Sequence, residues 1–133
     1  MMEPKIQLEK FKNSLTRLEQ VLQRDIKSDD IVLDATIQRF EFTFENGWKA
    51  IKHVLHFLGE SCDSPRSCIK KAYEKGWIKD EGKFLELLRS RNLTAHTYSF
   101  EIAMEVYETI KNNYQSFWDL YNNLTNLLNK FIE

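Results

Sequence analysis

Eight consecutive residues, Arg91-Asn92-Leu93-Thr94-Ala95-His96-Thr97-Tyr98, place a permanent cation, an amide, an imidazole and a phenol close together along the chain. An arginine guanidinium can fork two hydrogen bonds onto a phosphate, and histidine is the side chain whose unperturbed pKa lets it give or take a proton near neutral pH. A cation that grips phosphate and a group that moves a proton are two requirements of RNA cleavage without a metal. Whether Arg91 and His96 serve one site depends on the backbone beneath them. On an ideal helix they lie about 140° apart, so they point together only if the helix ends between them or the arginine reaches round.

Hydrophobic spacing outlines the elements that must position these residues. Leu8, Phe11, Leu15, Leu18 and Leu22 recur at alternating steps of three and four, which predicts an amphipathic helix over roughly residues 5–25. Leu33, Ile37, Phe40, Phe44, Gly47, Ile51, Val54 and Leu58 repeat the pattern on a longer second helix, with Ser28-Asp29-Asp30 as its acidic start. Ser64-Pro65 and Gly76 bracket a short helix over residues 65–75. Asp80-Glu81 opens a fourth helix that runs through Phe84, Leu87 and Leu88 into the Arg91 segment. From a Ser99 cap, the stripe Ala103, Tyr107, Ile110, Tyr114, Phe117, Tyr121, Leu124, Leu128 and Phe131 predicts one continuous last helix to the C-terminus. No segment alternates with period two. The expectation is therefore all-α: an antiparallel up-and-down bundle of four main helices plus one short helix, in one domain over residues 1–133. A ~30-residue helix extends about 45 Å, more than a compact monomer of this size needs, which favours a homodimer.

Composition narrows the function classes. Hydrophobic residues make up 42% of the chain, including nine Phe, five Tyr and three Trp, so it folds around a core. A net charge of −1 argues against a broadly basic nucleic-acid surface, and any phosphate site must be local. Arg66, Lys70, Lys71 and Lys75, with Arg89 and Arg91, are candidates, although a solvated helix face accounts for the lysines more simply. No run approaches a membrane span and no secretory leader is evident, which makes the cytoplasm the default compartment. Cys62 and Cys68 match neither a zinc nor a redox spacing and are expected as reduced thiols.

On the fourth helix, Phe84, Leu88, Arg91 and Ala95 share one face, so Arg91 occupies a slot that earlier turns fill with apolar groups. A cation there needs a partner, either a bound phosphate or an internal carboxylate such as Glu45. Asn92 and His96 share the adjacent face, from which the amide could orient the imidazole. From these residues alone, an internal Arg91–Glu45 ion pair with His96 capping or packing is the simpler reading. Other chemistry is weaker. His53, His56 and Cys62 lack the carboxylates to complete a metal site, and Glu41 and Glu45 lack the Glu-x-x-His companion of a di-metal bundle. No metal or cofactor is expected. Trp48, Trp77 and Trp118 could stack bases, but each falls where core packing is expected.

Arg91-x4-His96, with Asn92 after the arginine and Tyr98 beyond the histidine, resembles the signature of HEPN domains, specifically the HepT-like toxins and the nucleotidyltransferase substrate-binding proteins. Residues 38–45 with Trp48-Lys49 resemble the second-helix block of the substrate-binding subgroup, and Ser64-Pro65-Arg66 with residues 72–76 its next block. The likeness covers nearly the whole chain. Asn46-Gly47 departs from it, where relatives carry a larger apolar residue and a small one, and could loosen the second helix.

The resemblance implies a helical homodimer whose two motifs face each other across the two-fold axis, bound to a minimal nucleotidyltransferase. In the toxin branch, Arg91 would hold the scissile phosphate of RNA, His96 would transfer a proton during attack by the ribose 2′-hydroxyl, and Asn92 would position the pair. Tyr98 would accept AMP from the partner; Glu45, from the residues themselves, is cast as an ion-pair partner for Lys49 or for Arg91. The alternative is a non-catalytic subunit that presents a nucleotide or other acceptor to the transferase.

Overall fold

The computed structural model describes residues 3–132. Its helices are α1 (Pro4–Leu22), α2 (Ile31–Phe57), α3 (Pro65–Glu74), α4 (Glu81–Leu93), α5 (Phe100–Asn113) and α6 (Gln115–Ile132), with a tight 3₁₀ turn, Thr94–His96, between α4 and α5. No strand occurs among the described residues, and the all-α bundle expected from the hydrophobic spacing is the fold observed.

Local chemistry starts and stops these helices where the sequence signals lie. The Ser64 side chain accepts the Ser67 N–H while the Ser67 hydroxyl accepts the Ser64 N–H, a reciprocal cap that leads into Pro65 at the first turn of α3. Asp80 accepts the Lys83 N–H at 3.1 Å to begin α4, and Ser99 accepts the Ile102 N–H at 3.5 Å to begin α5. Gly59 and Gly76, at φ 83° and 78°, sit in the left-handed region that ends α2 and α3.

Phe117 on α6 lies at the centre of the core. Its ring centroid is 6.0 Å from Phe11 on α1, 6.2 and 6.4 Å from Phe40 and Phe44 on α2, and 5.6 Å from Phe84 on α4. All five rings are fully buried. One side chain thus ties four helices together through edge-on or tilted aromatic contacts.

Three expectations are corrected. The predicted last helix is broken at Tyr114 into α5 and α6. The steps from Ile110 to Phe117 satisfy either a continuous or a broken helix, so spacing cannot reveal the break. It lets α5 lie against α2 and α4 while α6 packs against α1 and α2. The cysteines are not reduced thiols: Cys62 and Cys68 form a disulfide with Cα atoms 5.1 Å apart. The Asp63 N–H donates to the Ser67 hydroxyl, which folds the chain before α3 back over its first turn and brings Cys62 to Cys68. Nor does Gly47 loosen α2, which is continuous through it. A Cβ at Gly47 would stand 3.1 Å from the Phe11 ring, so glycine is there to admit the close approach of α1. Asn46 reinforces that approach, accepting from Gln7 Nε2 and donating to Ser14 Oγ at 3.1 Å.

Candidate functional site

Helix α4 ends at Leu93, between the two residues that a continuous helix would have turned apart. The end is built from threonines. The Thr94 N–H and Oγ1 both donate to the Arg91 carbonyl, the latter at 2.7 Å, and Thr97 Oγ1 donates to the Thr94 carbonyl at 3.1 Å. The Ser99 N–H then donates to the His96 carbonyl as the chain enters α5. Local side-chain bonds of this kind draw a backbone out of helix. Neither threonine stood out in the sequence, although their spacing of three is the available signal.

Arg91 lies on the last turn of α4 and is half-buried, above the apolar row formed by Phe84 and Leu88. Its guanidinium carbon is 5.8 Å from the Phe44 ring centroid. Nη2 approaches Glu45 Oε1 at 3.5 Å, and Nη1 donates to Asn92 Oδ1 at 3.4 Å. The other Glu45 oxygen accepts the Trp48 indole N–H at 2.7 Å. Glu45 and Trp48, three apart on α2, therefore form a bracket that holds the arginine from the side. The ion pair is long and its side chains are 36% and 39% exposed, so solvent screens it and the guanidinium stays available to another anion.

Asn92 is engaged with Arg91, which revises its expected place beside His96; the helix end removes the four-residue register that the two would have shared. Ala95 is exposed in the turn and leaves the apolar face. His96 is exposed, and its ring lies 6.2 Å from that of Tyr98 in an edge-on arrangement. Tyr98 is 87% exposed and Phe100 is 71% exposed. The motif thus forms two groups, Arg91 with Asn92 and Glu45, and His96 with Tyr98, joined by the threonine turn.

The other candidate cations are partly committed. Arg89 pairs with Glu105 at 2.9 Å, and that hydrogen bond, followed by the carboxylate charge, holds its pKa above the ordinary arginine value. Lys71 donates to the Ser61 carbonyl and Lys75 pairs with Glu60, so both pin the loop between α2 and α3. Trp77 is buried as expected, while Trp118 is partly buried and donates to Glu19 at 3.2 Å. Among the described residues no three His, Cys, Asp or Glu side chains are placed to hold a metal ion, and no helix is long and apolar enough to cross a membrane.

Comparison with known proteins sets this geometry in a family. A model described as nucleotidyltransferase substrate binding protein like matches residues 6–126. The probable ribonuclease HepT of Haemophilus influenzae is 33% identical over 94 residues, which is 67% of this chain and 64% of that protein, so the aligned stretch spans just under two thirds of the relative. A Thermus thermophilus protein of known structure shares the fold with a TM-score of 0.78 and 28% identity, over 86% of this chain and 98% of that one. A Haemophilus influenzae structure, described as revealing the fold of a substrate binding domain of a nucleotidyltransferase, has a TM-score of 0.77 at 23% identity, over 89% and 98% of the two chains, and bears on the fold alone. The HEPN and HepT-like resemblance read from the motif is borne out. With a match that runs from α1 into α6 and includes the threonine turn, the chain belongs to the nucleotidyltransferase substrate binding protein-like family.

Proposed function

We propose that this protein is a homodimeric, metal-independent endoribonuclease that works with a minimal nucleotidyltransferase, which silences it by transferring AMP to Tyr98. Arg91 grips the scissile phosphate and stabilises the charge that develops on it. The ribose 2′-hydroxyl attacks phosphorus, forming the 2′-oxygen bond and breaking the 5′-oxygen bond. His96 moves a proton in this step, and the products are a 2′,3′-cyclic phosphate and a 5′-hydroxyl. Because the nucleophile belongs to the RNA, the step needs no metal-activated water, and proton transfer of this kind commonly contributes ~10²–10⁴-fold. Asn92 and Glu45 set the direction of the guanidinium.

The observation that carries this reading is the 87% exposure of Tyr98 beside His96. A tyrosine so exposed adds nothing to core packing, yet its hydroxyl is open to a transferase. An adenylyl group there would put bulk and negative charge next to His96 and repel RNA.

The test is gel analysis of purified wild type and His96→Ala on a mixed RNA pool in EDTA. Cleavage by the wild type alone, with cyclic-phosphate ends, is the expected result. RNA left intact by excess unmodified wild type would sink the ribonuclease reading.

A second reading, a non-catalytic subunit that presents a nucleotide or substrate to the transferase, is favoured by one feature. Arg91 already has carboxylate and amide partners in the unliganded chain, which suits reversible binding as well as catalysis. Nucleotide binding that depends on Arg91, without RNA cleavage at any enzyme concentration, would decide for it.

A further inference from the structure

A surface groove of about 360 Å³ between α1 and α2 is lined by no residue of the motif. It extends along α2 from Ala35 to Asn46, about 16 Å at the helical rise. Arg17 of α1 and Arg39 of α2 line it together with Phe42. Among the described residues neither arginine has a carboxylate within ion-pair distance. Arg39 Nη1 donates to the Arg17 carbonyl at 2.8 Å, which fixes its guanidinium and leaves the rest of the fork to a ligand. Phe42, one turn further along α2, is 56% exposed and has ring surface left for a flat group to stack on. Asn46 donates to Ser14 Oγ at 3.1 Å and so ties the two walls of the groove together. Asn13 and Gln38 are exposed amides in the lining, each offering donor and acceptor atoms.

Two unpaired cations, an open ring and exposed amides match the groups a nucleotide presents: phosphate, base face and base edge. We propose that this groove binds a segment of single-stranded RNA outside the cleavage motif, with backbone phosphates on Arg17 and Arg39 and one base stacked on Phe42. An acidic peptide would engage the arginines and leave the ring and the amides without a role. A free mononucleotide carries the right groups but would fill only part of the groove's length.

A chain of net charge −1 can hold RNA only where its cations are local, and this groove supplies two of them. The neighbouring cleft of about 500 Å³ shares Ala35 and Gln38 with the groove, carries Asp34 and Glu41, and reaches Thr97 of the motif turn. Its carboxylates repel phosphate, which keeps the strand to the arginine side of α2 while the motif turn stands on the other. The site rests on the ribonuclease of the proposed function and adds a substrate contact that Arg91 and His96 do not provide.

The test is the affinity of wild type and variants for a fluorescent single-stranded RNA whose 2′-hydroxyls are methylated. Methylation removes the nucleophile, so binding is readable whether or not the protein cleaves, and circular dichroism confirms that each variant is folded. Arg17→Gln/Arg39→Gln is expected to weaken binding at least about tenfold. The slope of log affinity against log salt is expected to become shallower by about 1.4, as for two lost phosphate contacts on a single strand. Phe42→Ala is expected to weaken binding about tenfold, and Phe42→Trp to keep it. Arg17→Gln alone, whose side chain bonds to nothing among the described residues, is expected to weaken binding with no change in melting temperature. No binding by the wild type, or wild-type affinity and salt slope in the double arginine variant, would overturn the proposal. AMP that displaces the oligomer as well as unlabelled RNA does would make the groove a free-nucleotide site and overturn the strand. Unmethylated RNA left intact by the wild type, with binding that still depends on Arg17 and Phe42, would sink the ribonuclease reading and leave the groove standing.

Discussion

Arg91 shows how a half-buried cation can be held without being used up. Its guanidinium has five N–H donors, and among the described residues only one contact to Asn92 and one long contact to Glu45 engage them. Lysine at this position would keep the charge but lose the planar fork. Arg91→Lys is therefore expected to lower kcat for RNA cleavage by about 10²-fold, with a smaller change in KM, and steady-state kinetics on a short RNA check this. In the proposed function Tyr98 belongs to regulation and not to catalysis. Tyr98→Phe is expected to retain cleavage while failing to gain the mass of an adenylyl group when incubated with the transferase and ATP. Loss of cleavage in that variant would instead give the hydroxyl a catalytic part.

At the scale of elements, close approach decides more than propensity does. Replacing a helical glycine by alanine ordinarily stabilises by about 1 kcal/mol. At Gly47 the new Cβ meets the Phe11 ring at 3.1 Å, and that ring is held edge-on by Phe117 and Tyr121 at 6.0 and 6.2 Å. Overpacking of this kind costs about 1–3 kcal/mol, so Gly47→Ala is expected to lose roughly 1 kcal/mol net in urea unfolding. A gain would mean that the Phe11 ring can shift. The threonine turn after α4 follows the same principle. Helical spacing alone would carry His96 round the axis from Arg91, and the hydrogen bonds of Thr94 and Thr97 end the helix first.

Across the whole molecule, aromatic packing around Phe117 and the Cys62–Cys68 bridge hold regions far apart in sequence or loosely tethered. The bridge closes a short loop, for which chain-entropy arguments give roughly 2 kcal/mol of stabilisation. Reducing agent, or Cys62→Ser/Cys68→Ser, is expected to lower the melting temperature while leaving the helical circular dichroism of the folded state nearly unchanged. Equal melting with and without reductant would show that the capped start of α3 and the Lys75–Glu60 pair suffice.

Much of this was legible in one dimension. Apolar residues at steps of three and four located the helices, Ser64-Pro65, Asp80 and Ser99 located three starts, and the spacing and chemistry of Arg91, Asn92, His96 and Tyr98 pointed to the family. These features are local, set by backbone periodicity and by caps that act within one turn. The break at Tyr114, the disulfide and the role of Gly47 were decided by tertiary structure. Each depends on a distance between groups on different elements, or on where a helix gives way to neighbours, and a periodic pattern is unchanged by either.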